Sequence, residues 1–495
     1  MKYLSLERTV SGGVRTQVRS RELHGLKRLE AATEQFWLSR WYFPAMLLLA
    51  AMFVAADCHV IGTAVMLCVG AWFLALCPDF MACVCPLVLV CVLVGPKYQD
   101  LSVFIPCLPL AVPLVCALML HLMRWPVTIR AGRSAKGLVL VSVATLLGGC
   151  DVMRREEYWC PLSLYYTLGL GVGLLLLYLL FRSEIAREHS YDLGERFAAI
   201  LYTAGVLMAL VVFVYYVWRW DHFLELGHLL YLKFRNYAAT MLLVALPATF
   251  FFALRSRWHL TGTAVMALAM AFSGSRSALL FGAVELLLGC AYLVYYGAVS
   301  RKTMLLVLAL GGVVMALCGA KLLLALYANR IGDGQFIDGD EKRWTLLACG
   351  VRDFLRHPVF GMGLGNTANR ALTATNVAGS MFFYHNMVMQ VLGSMGLLGV
   401  VAYGQLILDR VTLLVSGRSA FTTALGLSYL GMVMMSMTNP GEFCPFPNAA
   451  LMVMLFAVAE DAVGDVALPV RQLLGVRRYA HRSHRPAYAH KYAHK

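Results

Sequence analysis

The chain has 495 residues, of which 60% are hydrophobic and only 14% charged, with a mean hydropathy of +0.69. A soluble domain has an apolar share of about 45–50%, so a soluble globular enzyme is excluded, and long Leu, Val, Ala and Met runs exclude an outer-membrane barrel of short alternating strands. The net charge of +15 does not point to nucleic acid, because most Lys and Arg lie in short connections between apolar runs, where they set orientation.

These properties predict an all-α, polytopic integral membrane protein of about 12–14 transmembrane helices with one long outward-facing loop. Residues 1–41 are polar and basic with no apolar core ahead of a cleavage site, so they read as a cytoplasmic tail rather than a cleaved leader. At roughly 17–25 residues per span, the N-terminal block 42–326 holds runs near 42–56, 60–76, 79–95, 101–123, 135–150, 162–181, 197–218, 236–254, 258–273, 277–297 and 303–326. The C-terminal block 384–463 adds 384–408, 420–437 and 448–463. The runs 42–56, 135–150 and 258–273 are short, and one adjacent pair folding back as a hairpin would leave twelve spans without changing the sidedness downstream.

The set of alternate connections that includes both ends of the chain carries 28 Lys and Arg against 13 in the opposite set. The positive-inside rule therefore places both termini in the cytoplasm, in a multi-pass protein of the cytoplasmic (inner) membrane. Residues 464–495 form a basic, His-rich tail suited to anionic lipid at the inner leaflet. The 14 Cys lie mostly inside apolar runs and read as small buried side chains, with no disulfide or zinc framework.

The connection 327–383 faces outward and is too long to be a structureless turn. Apolar positions at helical spacing predict a surface helix over 341–356, ended by His357-Pro358 and followed by a flexible turn containing Gly361, Gly363 and Gly365. The acidic residues Asp338, Asp340 and Glu341 suit that helix's N-terminal dipole. With Asp333 they depart from the spacing of a calcium loop, so no metal is assigned.

Three outward places hold residues that are costly in lipid. Ser273-Gly274-Ser275-Arg276-Ser277 is a polar turn with a guanidinium at the start of the next helix. Hydroxyls, free helix N–H groups and a forked cation can hold phosphate oxygens, although an Arg at this boundary also serves as a simple interfacial anchor. Arg343, Arg352 and Arg356 lie on the loop helix, where a solvated amphipathic face is the plain alternative. Tyr384-His385-Asn386 opens a span rich in small residues. A His there can accept a hydroxyl proton, or can do no more than bond a backbone carbonyl. Arg235, just ahead of a span, is a possible second cation.

Ser273-Gly274-Ser275-Arg276, then Arg343, then Pro358-Val359-Phe360-Gly361-Met362-Gly363-Leu364-Gly365, then His385-Asn386, Gln390 and Gly396-Leu397-Leu398-Gly399 follow one another in an order and spacing that resembles the O-antigen ligase and Wzy-type polysaccharide polymerase family. The resemblance covers about 140 residues. In this chain Trp344 directly follows Arg343, whereas the family commonly has its Trp about four positions after the loop Arg; Arg330 and Arg352 are the alternative loop cations. The resemblance implies a GT-C-like glycosyltransferase that moves glycan from an undecaprenyl-pyrophosphate-linked donor to a glycan or lipid-glycan acceptor, at the outer face, with membrane lipids as surroundings. It implies His385 as the base, Arg276 and Arg343 as pyrophosphate ligands, and Ser275, Asn386 and Gly363 in support, with inversion at the anomeric carbon and no metal or other cofactor; Arg235, outside the resembling stretch, is added as a further pyrophosphate ligand from its place ahead of a span, which interface positioning explains equally well. A lipid-linked oligosaccharide flippase is the competing reading, but it predicts cations along a midplane cavity and repeated halves.

Overall fold

The computed structural model describes residues 13–97, 101–153, 166–226, 229–230, 232–314, 335–364, 383–439, 441–443 and 446–470, with helix side chains described from 25 and, in the loop helix, from 343. Among the described residues the regular structure is helical apart from one two-stranded pairing. Helices run over Gly13–Leu38 (α1), Tyr42–Ala55 (α2), His59–Leu76 (α3), Met81–Val94 (α4), Ala111–Arg124 (α5), Ser134–Met153 (α6), Leu174–Ile185 (α7), Leu193–Val217 (α8), Trp220–Leu226 (α9) and Arg235–Ala253 (α10). They continue with Leu260–Phe272 (α11), Arg276–Tyr295 (α12), Arg301–Val314 (α13), Gln335–Arg356 (α14), Met387–Ser416 (α15), Ala420–Ser436 (α16) and Phe446–Val463 (α17). A helix lies over each of the fourteen predicted runs, the run 303–326 being described only as far as Val314.

Among the described residues, seven helices are long and apolar enough to cross a membrane, with three shorter apolar helices beside them. The protein is a multi-pass membrane protein. Lipid offers no partner to a backbone N–H or C=O, so apolar runs of this kind are stable only as helices that pair their own backbone. Short polar side chains close the ends: Asp192 accepts from Glu195 N at 2.9 Å at the start of α8, and Ser419 forms a capping box with Thr422 at the start of α16.

The N-terminal segment predicted as a plain tail is instead helical from Gly13 to Leu38, and Gly25–Leu38 meets α2 at 89°. Its Ala, Leu, Glu, Lys and Arg are good helix formers, and its end is anchored because Trp37 is fully buried and donates to Asp79 Oδ2 at 2.9 Å.

Hydrogen bonds tie alternate connections together at two opposite ends. At one end Glu30 pairs with Arg124, His121 Nδ1 meets Leu74 O at 3.0 Å, Tyr191 donates to Asp79, and Arg130–Ala131 pairs antiparallel with Leu468–Pro469. Below the strands, Glu460 accepts from Ser134 N at 2.7 Å and Tyr178 at 2.6 Å and lies 3.4 Å from Arg182. The other end carries Asp57, Lys97, Arg219, Asn236, Ser275, Asn386 and Asn439.

Arg182 and Arg410, which are among the 28 Lys and Arg of the connections that share a side with both ends, lie inside α7 and α15 and are each 2% exposed. Arg410 Nη1 donates to Glu442 Oε1 at 2.7 Å, and its guanidinium sits over the Phe456 ring at 4.7 Å. Breaking a buried pair strands the partner charge, at a cost of about 3–5 kcal/mol. Glu442→Ala is therefore expected to lower the melting temperature in detergent sharply, and Arg410→Met combined with Glu442→Met should recover most of that loss. Equal melting temperatures for wild type and Glu442→Ala would rule this out.

Candidate functional site

Three helix starts meet at one end of the bundle. Arg235 opens α10, Arg276 opens α12, and Asn386 caps α15. The Ser275 hydroxyl accepts from Ala278 N at 3.3 Å and donates to Asn236 Oδ1 at 3.1 Å. Asn236 Nδ2 donates to Asn439 Oδ1 at 2.6 Å, and Asn439 Nδ2 to Thr438 Oγ1 at 3.1 Å. Thr438 Oγ1 in turn lies 3.1 Å from Ser277 Oγ, and Asn386 Nδ2 donates to Met437 O at 3.0 Å. Each helix start carries unpaired N–H groups and partial positive charge. Bringing three of them together with two arginines makes a place suited to an anion with several oxygens.

The hub of this network is the 437–443 connection between α16 and α17, which sequence reasoning passed over. Thr438 and Asn439 lie in a ten-residue polar-looking gap whose only sequence signal is Thr-Asn-Pro-Gly, an ordinary turn composition. Asn439 is 4% exposed. Asn439→Ala leaves the Asn236 amide without its acceptor in a buried setting, an expected cost of about 1–3 kcal/mol, to be read as a fall in melting temperature with the helical circular dichroism unchanged.

The loop helix α14 is longer than the predicted 341–356, starting at Gln335. The acidic side chains Asp333, Asp338, Asp340 and Glu341, and the alternative cation Arg330, lie outside the described residues. Its inner face docks beside the site: Leu346 and Cys349 are buried with Tyr384, whose hydroxyl donates to the fully buried Asp353 at 2.8 Å. Arg352 is held by the same carboxylate at 3.2 Å.

His385 stands between two fixed neighbours. Tyr384 N donates to Gln390 Oε1 at 3.2 Å, and Asn386 Oδ1 accepts from Met389 N at 3.1 Å. Between them His385 takes φ +53°, left-handed backbone that few residues other than glycine adopt. The imidazole is reachable from solvent yet has protein packed around it. Burial, and after it the Arg343 guanidinium, lower its pKa to about 4. It is neutral at pH 7 and can accept a proton. The same coupling puts Arg343 and His385 within electrostatic reach of each other.

Gly363, predicted as part of a flexible turn, is paired instead. Met362 N donates to Gly393 O at 2.8 Å and Gly363 N to Ser394 O at 2.9 Å, while Leu397 N donates back to Pro358 O at 2.8 Å. The exchange works because α15 is broken at Gly396 (φ +61°, ψ −152°), which frees backbone groups on both sides of the break. The structure thus joins Ser275 and Asn386 through one network, in which Arg235 and Arg276 are the chain neighbours of Asn236 and Ser275, puts Arg343 within electrostatic reach of His385, and gives Gly363 a backbone role. Gly365 lies outside the described residues.

Residues 261–404 match the family model described as O-Antigen ligase. No curated protein and no solved structure matches the chain. The matched segment runs from α11 through α15, so it holds Ser275, Arg276, Arg343, Gly363, His385 and Asn386, while Arg235 and the 437–443 hub lie outside it. Residues 261–404 are thus similar to the O-antigen ligase family, within a multi-pass helical membrane protein.

Proposed function

We propose that the protein transfers a glycan from an undecaprenyl-pyrophosphate donor to a hydroxyl of a second glycan at the outer face of the cytoplasmic membrane, with both termini inside. The observation that carries this reading is the convergence of the α10, α12 and α15 N-termini, with Arg235 and Arg276, at the end where His385 and Arg343 sit. The bond from the anomeric carbon to the pyrophosphate oxygen breaks, and the charge growing on that oxygen meets Arg276, Arg343 and Arg235. His385 takes the proton of the acceptor hydroxyl as its oxygen bonds to the anomeric carbon, and undecaprenyl pyrophosphate leaves. Direct displacement inverts the anomeric centre. Ser275 and Asn386 hold the helix ends in place, and Gly363 keeps the loop against α15.

The test is glycan transfer by purified protein supplied with an undecaprenyl-pyrophosphate oligosaccharide, with and without EDTA, alongside Arg276→Ala. Products lengthened on the lipid mark a polymerase, and products on a separate acceptor mark a ligase. Activity that survives EDTA and is lost in Arg276→Ala supports the reading; full activity in the variant removes Arg276 from the site. Translocation of the lipid without transfer would replace the transferase with a flippase.

A further inference from the structure

A second cationic cavity lies at the same end of the bundle, separate from the convergent helix starts. It has a volume of about 760 Å³ and is walled by α2, the start of α3, the end of α4, the end of α8 and the 233–234 segment. Lys97, Arg219 and Lys233 face it together with His59, against one carboxylate, Asp57, which His59 Nε2 approaches at 3.3 Å. Among the described residues Lys97 and Arg219 form no ion pair, and the Arg219 guanidinium sits over the Tyr215 ring at 4.0 Å. The lining also includes the apolar Val54, Val211 and Phe234 and the 62% exposed Trp218.

The cavity and the convergent site share one strip of chain. Lys233 and Phe234 line the cavity, and the next two residues, Arg235 and Asn236, belong to the site. On α8, Val214, Tyr215 and Trp218 face the cavity, while Tyr216 turns the other way and donates to Phe272 O at 2.8 Å, one residue before Ser273. Nothing in holding a single pyrophosphate at Arg276 requires Lys97 and Arg219 on the far side of this strip. Two cations without an ion pair among the described residues suit an anion, Tyr215 and the exposed Trp218 suit sugar rings or lipid, and Val54 and Val211 suit the first carbons of a chain.

We propose that this cavity binds the phosphate-bearing headgroup of a membrane amphiphile and, resting on the transferase reading above, that this amphiphile is the acceptor glycolipid, seated one strip of chain away from the donor pyrophosphate. The acceptor would then be recognised by charge as well as by its sugar, and the two anions would be kept apart by α8 and the 233–236 segment.

Binding is measured first, on the full-length protein in a neutral detergent, by calorimetry with dioctanoyl phosphatidic acid, dioctanoyl phosphatidylcholine and sodium phosphate. Phosphatidic acid is expected to bind at least ten-fold more tightly than phosphatidylcholine, and to lose ten-fold or more in Lys97→Gln combined with Arg219→Gln. The charge-keeping variant Lys97→Arg should bind as wild type does, which separates lost charge from lost fold. Arg276→Gln should leave this binding intact, since it lies across the strip. Sodium phosphate binding as tightly as the lipid would make free phosphate the ligand and overturn the acceptor assignment, and undiminished phosphatidic acid binding in the double variant would overturn the site. In transfer assays the double variant should raise the acceptor KM at least five-fold with the donor KM unchanged. Absence of transfer in wild type would count against the transferase reading alone, because the lipid-binding result stands without it.

Discussion

His385→Ala is expected to lower kcat for glycan transfer by about 10²- to 10⁴-fold, the span that a positioned general base contributes, with little change in melting temperature because the side chain opens to solvent. The pH dependence is the sharper test. Burial and Arg343 hold the His385 pKa down to about 4, so the free enzyme keeps the imidazole neutral through most of the acid range. Since kcat/KM follows the free enzyme, its acid limb should fall near pH 4. A depressed pKa makes a weak base, and the depression has one removable part, the Arg343 charge. Arg343→Gln takes that charge away and should raise the His385 pKa toward the ordinary value of about 6.5, moving the limb upward. The variant should therefore lose more activity at pH 5 than at pH 8, on top of any loss of donor binding. Parallel wild-type and variant profiles would show that Arg343 does not act on His385.

If the proposed pyrophosphate donor sits at Arg343, the same electrostatics gives it a part in activating the base. A pyrophosphate seated against Arg343 offsets the cation that depresses His385, so its pKa rises in the complex by the reverse of the shift that Arg343 causes in the free enzyme. The acid limb of kcat, which reports the complex, should then lie above that of kcat/KM. A base that strengthens when the donor is bound spends less time protonated in the empty site and pulls harder once an acceptor hydroxyl is in place. Coincident limbs would mean that the donor phosphates do not sit at Arg343.

What was legible in the sequence, and what was not, divides along physical lines. Helix starts announce themselves through residue type, so Ser275 and Asn386 could be placed at the heads of spans from Ser-Arg and His-Asn at apolar boundaries, and both cap those helices. Apolar length is equally local, and a helix lies over every run expected to span. Long-range pairing leaves no such mark. Arg410 sits near Arg418 in sequence and reads with it as a connection charge, but its partner Glu442 lies 32 residues away on another turn, and only their meeting makes Arg410 a buried residue. Asn439 is likewise an unremarked turn residue until three helix ends converge on it. Glu285 is the extreme case: a fully buried carboxyl in α12, facing Gly431 of α16, in a run whose mean hydropathy hides it.

Gly396→Ala is expected to be the most damaging small substitution outside the polar cluster. At φ +61° and ψ −152° Gly396 occupies backbone space that is essentially closed to residues with a Cβ, at a cost of about 1–3 kcal/mol before any contact is counted. A Cβ there would also stand 2.6 Å from both Pro358 O and Val359 O. Those are the acceptors of Leu397 N and Leu398 N, so the methyl cannot be relieved by a flexible side chain; it has to push away the 358–363 segment that pairs the broken helix. In lipid the groups released by the break have no water to turn to, and the segment therefore cannot leave without stranding them. Gly361 makes the reciprocal approach, where a Cβ would fall 2.3 Å from Met395 N. Gly396→Ala should yield little monodisperse protein in detergent, and what folds should melt well below wild type. Gly404→Ala, at a position in the same helix with open space around it, is the control and should behave as wild type. If both variants fold alike, the break at Gly396 is not needed to hold the loop, and the glycines of the 358–365 motif would have to be explained by the substrate they meet.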